Sequence, residues 1–545
     1  MPSVIDEQLC TRCGICSDIC SQSDRRARPP GTNRIEILCF EVFPRPKLPL
    51  VQGVNMMDTM SHSQSRPRYR LLTEDQIQEI HLATLEILET IGVKILGEEG
   101  IDLLKAAGCR VEQDKRVKIP RGLVDNCIES APSRLSIYNR MGVAAMDLQG
   151  HQSYFGTGTD LLHTLDLETG QLRPSRLQDV VNAALIGDYF KEIDFIASFA
   201  HPQDVPANLS YITSFKALVE NSTKPIFFTA AGYEDLSIII EMAAAVVGGE
   251  EVLREKPFLI HYAEPTSPLS HSYGALRKLF LCADKRMPIT YTPALLSGAS
   301  GPVTMAGAIA LANAEALSGL VLHQLRSKGA PIISGFAVTP MDMRTATCAY
   351  GSPEYRLALS ACADLYHHYN IPVWGTAGCS DANVLDTQAA MESAFSILMA
   401  ALDGANLIHD VGYLGQGSIG SPAAVVMCSE MISYARRVIQ GFDITPDRIA
   451  MDVICRVGPE GNFLAEDHTR NFLKQEHWQP HFSNRDNAEV WRMKGAKSYG
   501  ETVTQKAIEV LRGHKPEPLP ENVQRQIDQI AQKAEKTLKG VRFKA

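Results

Sequence analysis

Residues 224–230 (KPIFFTA), 256–264 (KPFLIHYAE), 330–338 (APIISGFAV) and 371–378 (IPVWGTAG) decide the fold. Each is a short apolar run with a proline at its start. A strand with one wet face alternates apolar and polar residues, and these runs do not. They fit parallel strands covered on both faces. Similar runs at 153–157, 193–200, 287–292 and 405–411 bring the expected strands to eight. Helical patterns at 232–248, 303–327 and 384–403 lie between them. Repeated strand–helix units predict an α/β protein with a (β/α)8 TIM-type barrel over 151–425. The competing arrangement is a doubly wound sheet. No strand, however, leads into G-x-G-x-x-G with an acidic residue about 20 positions on.

Outward from the barrel, an α+β region is expected over 61–150. Its first helix lies in LLTEDQIQEIHLATLEILETIGVKIL (71–96), capped by Thr73 with Gln76 three positions later. Ile77, Ile80, Ala83, Ile87, Leu88 and Ile91 make its apolar stripe. After the barrel, 426–545 reads as helices. The last, in ENVQRQIDQIAQKAEKTLKG (521–540), is amphipathic and is expected to pack on the barrel or at a contact in a homo-oligomer.

Composition excludes several classes. The chain has 545 residues, 45% of them hydrophobic, which suffices for a large core without disulfides. Disorder, collagen and a disulfide-stapled module are excluded as the main architecture. With 53 basic and 62 acidic residues the net charge is −9. No long Lys/Arg run occurs, so nucleic acid is not an expected partner. No signal-peptide pattern opens the sequence, and the apolar segments 238–248 and 393–402 are too short to span lipid. The expectation is a cytoplasmic protein without a membrane partner.

Residues 1–60 differ from the rest. Cys10, Cys13, Cys16 and Cys20 follow the C-x2-C-x2-C-x3-C spacing of a bacterial ferredoxin run. Thiolates so spaced can wrap a [4Fe-4S] cluster, and Cys39 is a possible remote ligand. Ser21 stands where proline normally follows the fourth cysteine, and no second run is present. The segment is therefore an iron–sulfur element, or a disordered upstream extension with Met56 or Met57 as the true start. Zinc fits overlapping C-x2-C pairs less well.

In a barrel, chemistry gathers at the C-terminal ends of the strands. Residues expected there as catalytic are Asp160, Glu264, Asp381 and His409. Tyr154, Tyr262, Tyr291, Phe336 and Trp374 are the expected substrate-binding rings. Arg344, His261 and Asn383 are candidates for a substrate carboxylate, and Gly378, Gly412 and Gly415 for cofactor loops. Each has a plainer role open to it: aromatic residues pack cores, Asp381 and Asp386 cap helices, and glycines make turns. His409 and Asp410 are adjacent in a strand and are expected on opposite faces. No H-x-H, H-E-x-x-H or G-x-S-x-G element is present. Aromatic rings with carboxylates and little lysine suit a cation without acidic protons, such as a quaternary ammonium.

Eight phrases carry a family resemblance: LTEDQIQEIHLATLEILETIGVKIL (72–96), YFGTGTDLLHTLDLETGQLRPS (154–175), NSTKPIFF (221–228), YAEPTSPL (262–269), GSPEY (351–355), GTAGCSDANVLDTQAAMES (375–393), GANLIHDVGYLGQG (404–417) and GNFLAEDHTRNFL (461–473). In this order they resemble the trimethylamine methyltransferase family. The resemblance implies a (β/α)8 barrel that moves a methyl group from a methylated amine to the cobalt of a partner corrinoid protein. Members acting on trimethylamine carry pyrrolysine, and this sequence has none. It is similar instead to members acting on quaternary amines such as glycine betaine, proline betaine or carnitine. Residues 1–60 are not part of the resemblance; the cysteine run resembles the ferredoxin portion of proteins that reductively reactivate corrinoids. The rival readings are a barrel lyase acting on a small charged molecule and a non-catalytic betaine-binding protein.

Overall fold

The computed structural model describes residues 64–538, with side chains from 66. Cys10, Cys13, Cys16 and Cys20 lie outside the described residues. The chain divides into two compact units. The larger comprises 67–440 and 480–545. The smaller includes 441–479, where Phe442–Asp443 pairs antiparallel with Gln64–Ser65 and short helices follow.

Seven parallel strands centre the larger unit: β1 (Tyr154–Thr157), β2 (Ile226–Phe228), β3 (Leu259–Ala263), β4 (Ile289–Tyr291), β5 (Ile332–Ile333), β6 (Trp374–Thr376) and β7 (Leu407–Val411). They form two regular ladders, β2-β3-β4-β5 and β6-β7-β1. The expected eighth strand, 193–200, forms no ladder. Its backbone pairs with β1 and β2 through the single bridges Gly156–Phe195 and Ile196–Ile226. Its backbone turns left-handed at Phe199 (φ 59°), and the Ala197 N–H donates to Thr157 Oγ1 instead of to a strand. A single bridge, Ser334–Val373, lies between β5 and β6.

Antiparallel pairs interleave with these ladders. Tyr413–Leu414, Ile419–Gly420, His163–Leu165 and Leu172–Pro174 make a mixed four-stranded sheet. Ala337–Asp342 pairs parallel with Ala294–Ser297 and antiparallel with Thr347–Cys348. The expectation of a closed, regular (β/α)8 TIM-type barrel is thus corrected to an α/β fold of mixed parallel and antiparallel sheets. The apolar runs identified covered strands, but they carried no record of where left-handed residues break a ladder.

Alternation along the strands separates two cores. Phe227, Ile260, Ile333, Trp374 and Leu407 face inward and pack together. Leu259, Ala263, Tyr291, Phe336 and Ile408 belong to the layer between strands and helices. The hairpin Leu135–Tyr138 and Ala144–Leu148 joins the inner cluster from the end where strands begin, since Tyr138 N–H donates to Pro257 and Arg140 N–H to Thr223. The opposite end carries the loops that follow the strands.

Three helices meet or refine expectation. Glu74–Glu86 begins at Thr73, which forms the expected capping box with Gln76. Met305–Arg326 is long and apolar enough to cross a bilayer, but 78% of its apolar window is buried as a core helix. The amphipathic Glu521–Thr537 packs against Tyr233–Val247, burying Val523, Ile527 and Ala534. Its stripe is therefore satisfied within the chain.

Candidate functional site

Tyr262 occupies an inward position near the end of β3, and Glu264 follows just past it. Their spacing of two places both on one face. The Tyr262 hydroxyl donates to Glu264 Oε1. Tyr262 lies parallel to Trp374, with centroids 6.1 Å apart and planes 14° apart. Phe227 lies 5.1 Å from Tyr262, its plane tilted by 33°. His409 sits 5.4 Å from Tyr262, 5.2 Å from Trp374 and 4.9 Å from Phe227. Four rings from β2, β3, β6 and β7 thus make one packed floor. A cation midway between Tyr262 and Trp374 would lie only about 3 Å from each centroid, too close for a methylated ammonium, so the 6.1 Å stack leaves no room for one between the rings. The rings can offer a wall to a cation, but not two jaws.

Glu264 keeps an exposed surface although protein crowds it closely. Burial pushes its carboxyl above the usual range, while the Tyr262 hydrogen bond and His409 pull it back. Burial also holds Tyr262 and Tyr350 neutral, pushing both phenols well up, with Glu264 and Asp410 among the charges acting on them.

At β7 the chain departs from strand geometry. Asp410 has φ 79°, and the pairing with β1 shifts register between Ile408 and Val411. The expectation that His409 and Asp410 face apart fails for this reason. Asp410 Oδ1 lies 2.7 Å from His409 Nδ1, although neither atom has hydrogen-bond alignment. Both residues are buried.

The other expected residues divide clearly. Asp160, itself left-handed at φ 63°, accepts a hydrogen bond from Thr229 at 2.6 Å, and burial raises its carboxyl. Asp381 accepts the backbone N–H groups of Tyr350 and Gly351 at 2.8 and 3.0 Å, while its own N–H donates to Glu392. It staples one loop to another. Gly378, Gly412 and Gly415 do similar work between the loops after β6 and β7: Gly412 N–H donates to Gly378 O and Gly415 N–H to Ala382 O. At Gly412 (φ 94°) a Cβ would collide with Val425, so glycine is required there for packing.

Six expected residues are not brought to this floor. Tyr154 stands at the start of β1, bonded to Gln152 and to Asp147 N–H of the hairpin. Tyr291 faces the helix layer, where its hydroxyl meets His271 Nδ1 at 2.9 Å. Phe336 packs near Tyr366 in the same outer layer. His261 is the outward neighbour of Tyr262 and lies against Phe228. Arg344 is 88% exposed and pairs with Asp342 at 3.1 Å. Asn383 is exposed in the loop before Thr387–Asp403.

Three residues went unseen in the sequence. Phe227 was visible as an apolar strand residue, and only its inward parity marks it. Tyr350 and Tyr355, 5.4 Å apart, reach the region from the hairpin return and the helix Pro353–Tyr369. Among the described residues no group of three or more His, Cys, Asp or Glu is placed to hold a metal ion.

The signature of the family described as Trimethylamine methyltransferase (MTTB) matches residues 51–538. The trimethylamine methyltransferase MttB of Desulfitobacterium hafniense is 33% identical over 464 residues, covering 85% of this chain and 93% of that protein. A glycine betaine methyltransferase of the same species is 32% identical over 429 residues, covering 78% and 89%. Among solved structures, the Methanosarcina barkeri monomethylamine methyltransferase is 11% identical, covers 88% of this chain and 91% of its own, and gives a TM-score of 0.47. On the extent of the signature and the identity to its relatives, the chain belongs to the trimethylamine methyltransferase family and is a corrinoid-dependent methyltransferase that takes its methyl group from a methylated amine.

Proposed function

We propose that the methyl donor is a quaternary ammonium of the glycine betaine class and that the acceptor is cobalt(I) of a corrinoid carried by a separate protein. The observation that carries this reading is the aromatic floor of Tyr262, Trp374, Phe227 and His409, with Glu264 bonded to the Tyr262 hydroxyl beside it. Ring faces and a carboxylate attract a fixed positive charge that has no proton to give away. Pyrrolysine, which the family resemblance ties to trimethylamine, is absent from the sequence. A similar relative is named for glycine betaine.

The chemistry explains why such a site suffices. As the methyl carbon passes to cobalt(I), the electron pair of the breaking C–N bond stays on nitrogen, which leaves as a neutral tertiary amine. No proton moves. Trimethylamine offers a far poorer leaving group, an amide anion, and needs activation that this site does not provide. The residues therefore align rather than react: the floor fixes the ammonium, and Tyr262 holds Glu264 toward it. Glu264, Asp160 and His409 act through charge and position, while Asp381 sets the Tyr350 loop. For residues 1–60, we propose a [4Fe-4S] cluster on Cys10, Cys13, Cys16 and Cys20 or a disordered extension, dispensable for amine binding in either case.

Titration calorimetry with glycine betaine, choline and trimethylamine tests the donor class. Binding of a quaternary amine in preference to trimethylamine is expected. Preference for trimethylamine would overturn the reading.

A further inference from the structure

Lys278 lies on the helix Tyr273–Lys285, which follows β3. Its neighbour Arg277 pairs at 2.9 Å with the exposed Glu234. Lys278 reaches the strand ends instead, where its ammonium donates to the Ala230 carbonyl at 2.8 Å, just past β2. It forms no ion pair among the described residues. Burial pulls its pKa below the usual lysine range, against the opposing pull of Asp235, Cys282, Asp160 and Glu264. Lysine ammoniums are normally left in water or paired, so one held this way among carboxylates points to a use for its charge.

The loop after β2 shows what that charge serves. The Thr229 hydroxyl donates to Asp160 at 2.6 Å, and the Ala230 carbonyl accepts from Lys278. Ala231 and Gly232 donate their N–H groups to Asp235, each at 2.7 Å. Residues 229–232 thus tie the end of β1 to the helices Tyr233–Val247 and Tyr273–Lys285. The three carboxylates are bonded to neutral donors: Asp160 to Thr229, Asp235 to backbone N–H groups, Glu264 to Tyr262. Lys278 adds a positive charge that acts on all three. Resting on the proposed function, we infer that Lys278 is a positioning residue: its bond to Ala230 holds Thr229 on Asp160, and its charge keeps Asp160 and Glu264 ionised so that both attract the quaternary ammonium.

Burial raises both carboxyls, and Lys278 opposes that rise at each. Around Asp160 stand Thr229, Thr159, His201 and Lys278, with Tyr211 of the helix Ser210–Asn221 feeling the charge of Asp160 and Asp235. Around Glu264 stand Tyr262, His409, Asp410 and Lys278. His261 is held neutral, by burial first and by Lys278 second. The ammonium has two opposed effects on an arriving cation. It lowers the pH at which the carboxylates ionise, and it repels the cation directly. Removing it therefore weakens cation binding within the raised carboxyl range and strengthens it above that range. A lysine that served packing alone would change affinity equally at every pH.

Lys278→Met keeps an unbranched chain and removes the charge, whereas Lys278→Arg keeps the charge. Each folded protein is titrated calorimetrically with tetramethylammonium across the acid to mildly alkaline range. For Lys278→Met the rise of affinity with pH is expected to move up by about one pH unit, about tenfold weaker binding on the rising limb. On the plateau the variant should match or exceed the parent. Lys278→Arg should keep the parent's midpoint. If Lys278→Met fails to fold, Lys278→Gln carries the test. Infrared difference spectra of the ligand-free proteins read the same protonation without any amine: the C=O stretch of protonated carboxyls should persist about one pH unit higher in Lys278→Met. An unshifted midpoint, equal weakening at every pH, or a midpoint in Lys278→Arg displaced as far as in Lys278→Met overturns the role of Lys278. An infrared shift in a protein whose parent binds trimethylamine and no quaternary amine supports the charge role and overturns the proposed function, so the two failures are distinguished.

Discussion

Glu264 concentrates the electrostatics of the site in one side chain. Burial raises its carboxyl, so the folded protein holds the proton more tightly than the unfolded chain does. Between the two pKa values the folded state binds more protons, and stability falls as pH rises. The advantage is complete below the unfolded value and is gone above the folded one. Glu264→Gln removes this dependence. By scanning calorimetry the variant should melt above the parent at neutral pH, and the gap should close on acidification through the raised carboxyl range. Cation binding should behave oppositely. The parent's affinity for glycine betaine should rise with pH as Glu264 ionises, then level off. The variant should bind about tenfold more weakly at neutral pH, on the order of 1 to 2 kcal/mol across a partly buried site. A parent affinity that does not vary with pH would remove Glu264 from the ammonium.

Elements decide which of these residues meet. Inward parity along β3 puts Tyr262 and Glu264 together and sends His261 to the helix layer. That parity was legible in KPFLIHYAE, but its phase was not, because a run apolar on both faces does not declare which face is the interior. The same ambiguity hid Phe227 and placed Phe336 and Tyr291 too far inward. The His409–Asp410 approach was illegible for a different reason: alternation holds only while the backbone stays extended, and φ 79° at Asp410 breaks it. Loop residues such as Tyr350 arrive through tertiary bonds with no sequence signal. Its anchor is Asp381, which accepts two backbone N–H groups. Asp381→Asn leaves one acceptor oxygen and sets an amide N–H against the other donor. It should cost about 1–3 kcal/mol of stability and lower kcat/KM several-fold, because Tyr350 is no longer held. Chemical denaturation and steady-state kinetics measure the two together. Unchanged stability would show that the staple does not hold.

At the scale of the whole molecule, strand-and-helix alternation was readable in the apolar runs and long helices, whereas closure was not. Residues 193–200 looked like a strand by composition and form only single bridges. Residues 1–50 precede the family signature, which begins at 51. Removing 1–50 should therefore leave glycine betaine affinity within about twofold of the full chain, as expected of a segment that precedes the family signature. Loss of binding in a folded, truncated protein would tie the cysteine run to the amine site. In the proposed reaction the corrinoid is the second substrate, and the identity of the donor is the central claim. Its most direct measurement follows the absorbance of cob(I)alamin with stoichiometric protein and either glycine betaine or trimethylamine. Glycine betaine should give methylcob(III)alamin and one equivalent of dimethylglycine, with no conversion from trimethylamine. Methylation from trimethylamine and none from any betaine would contradict the account.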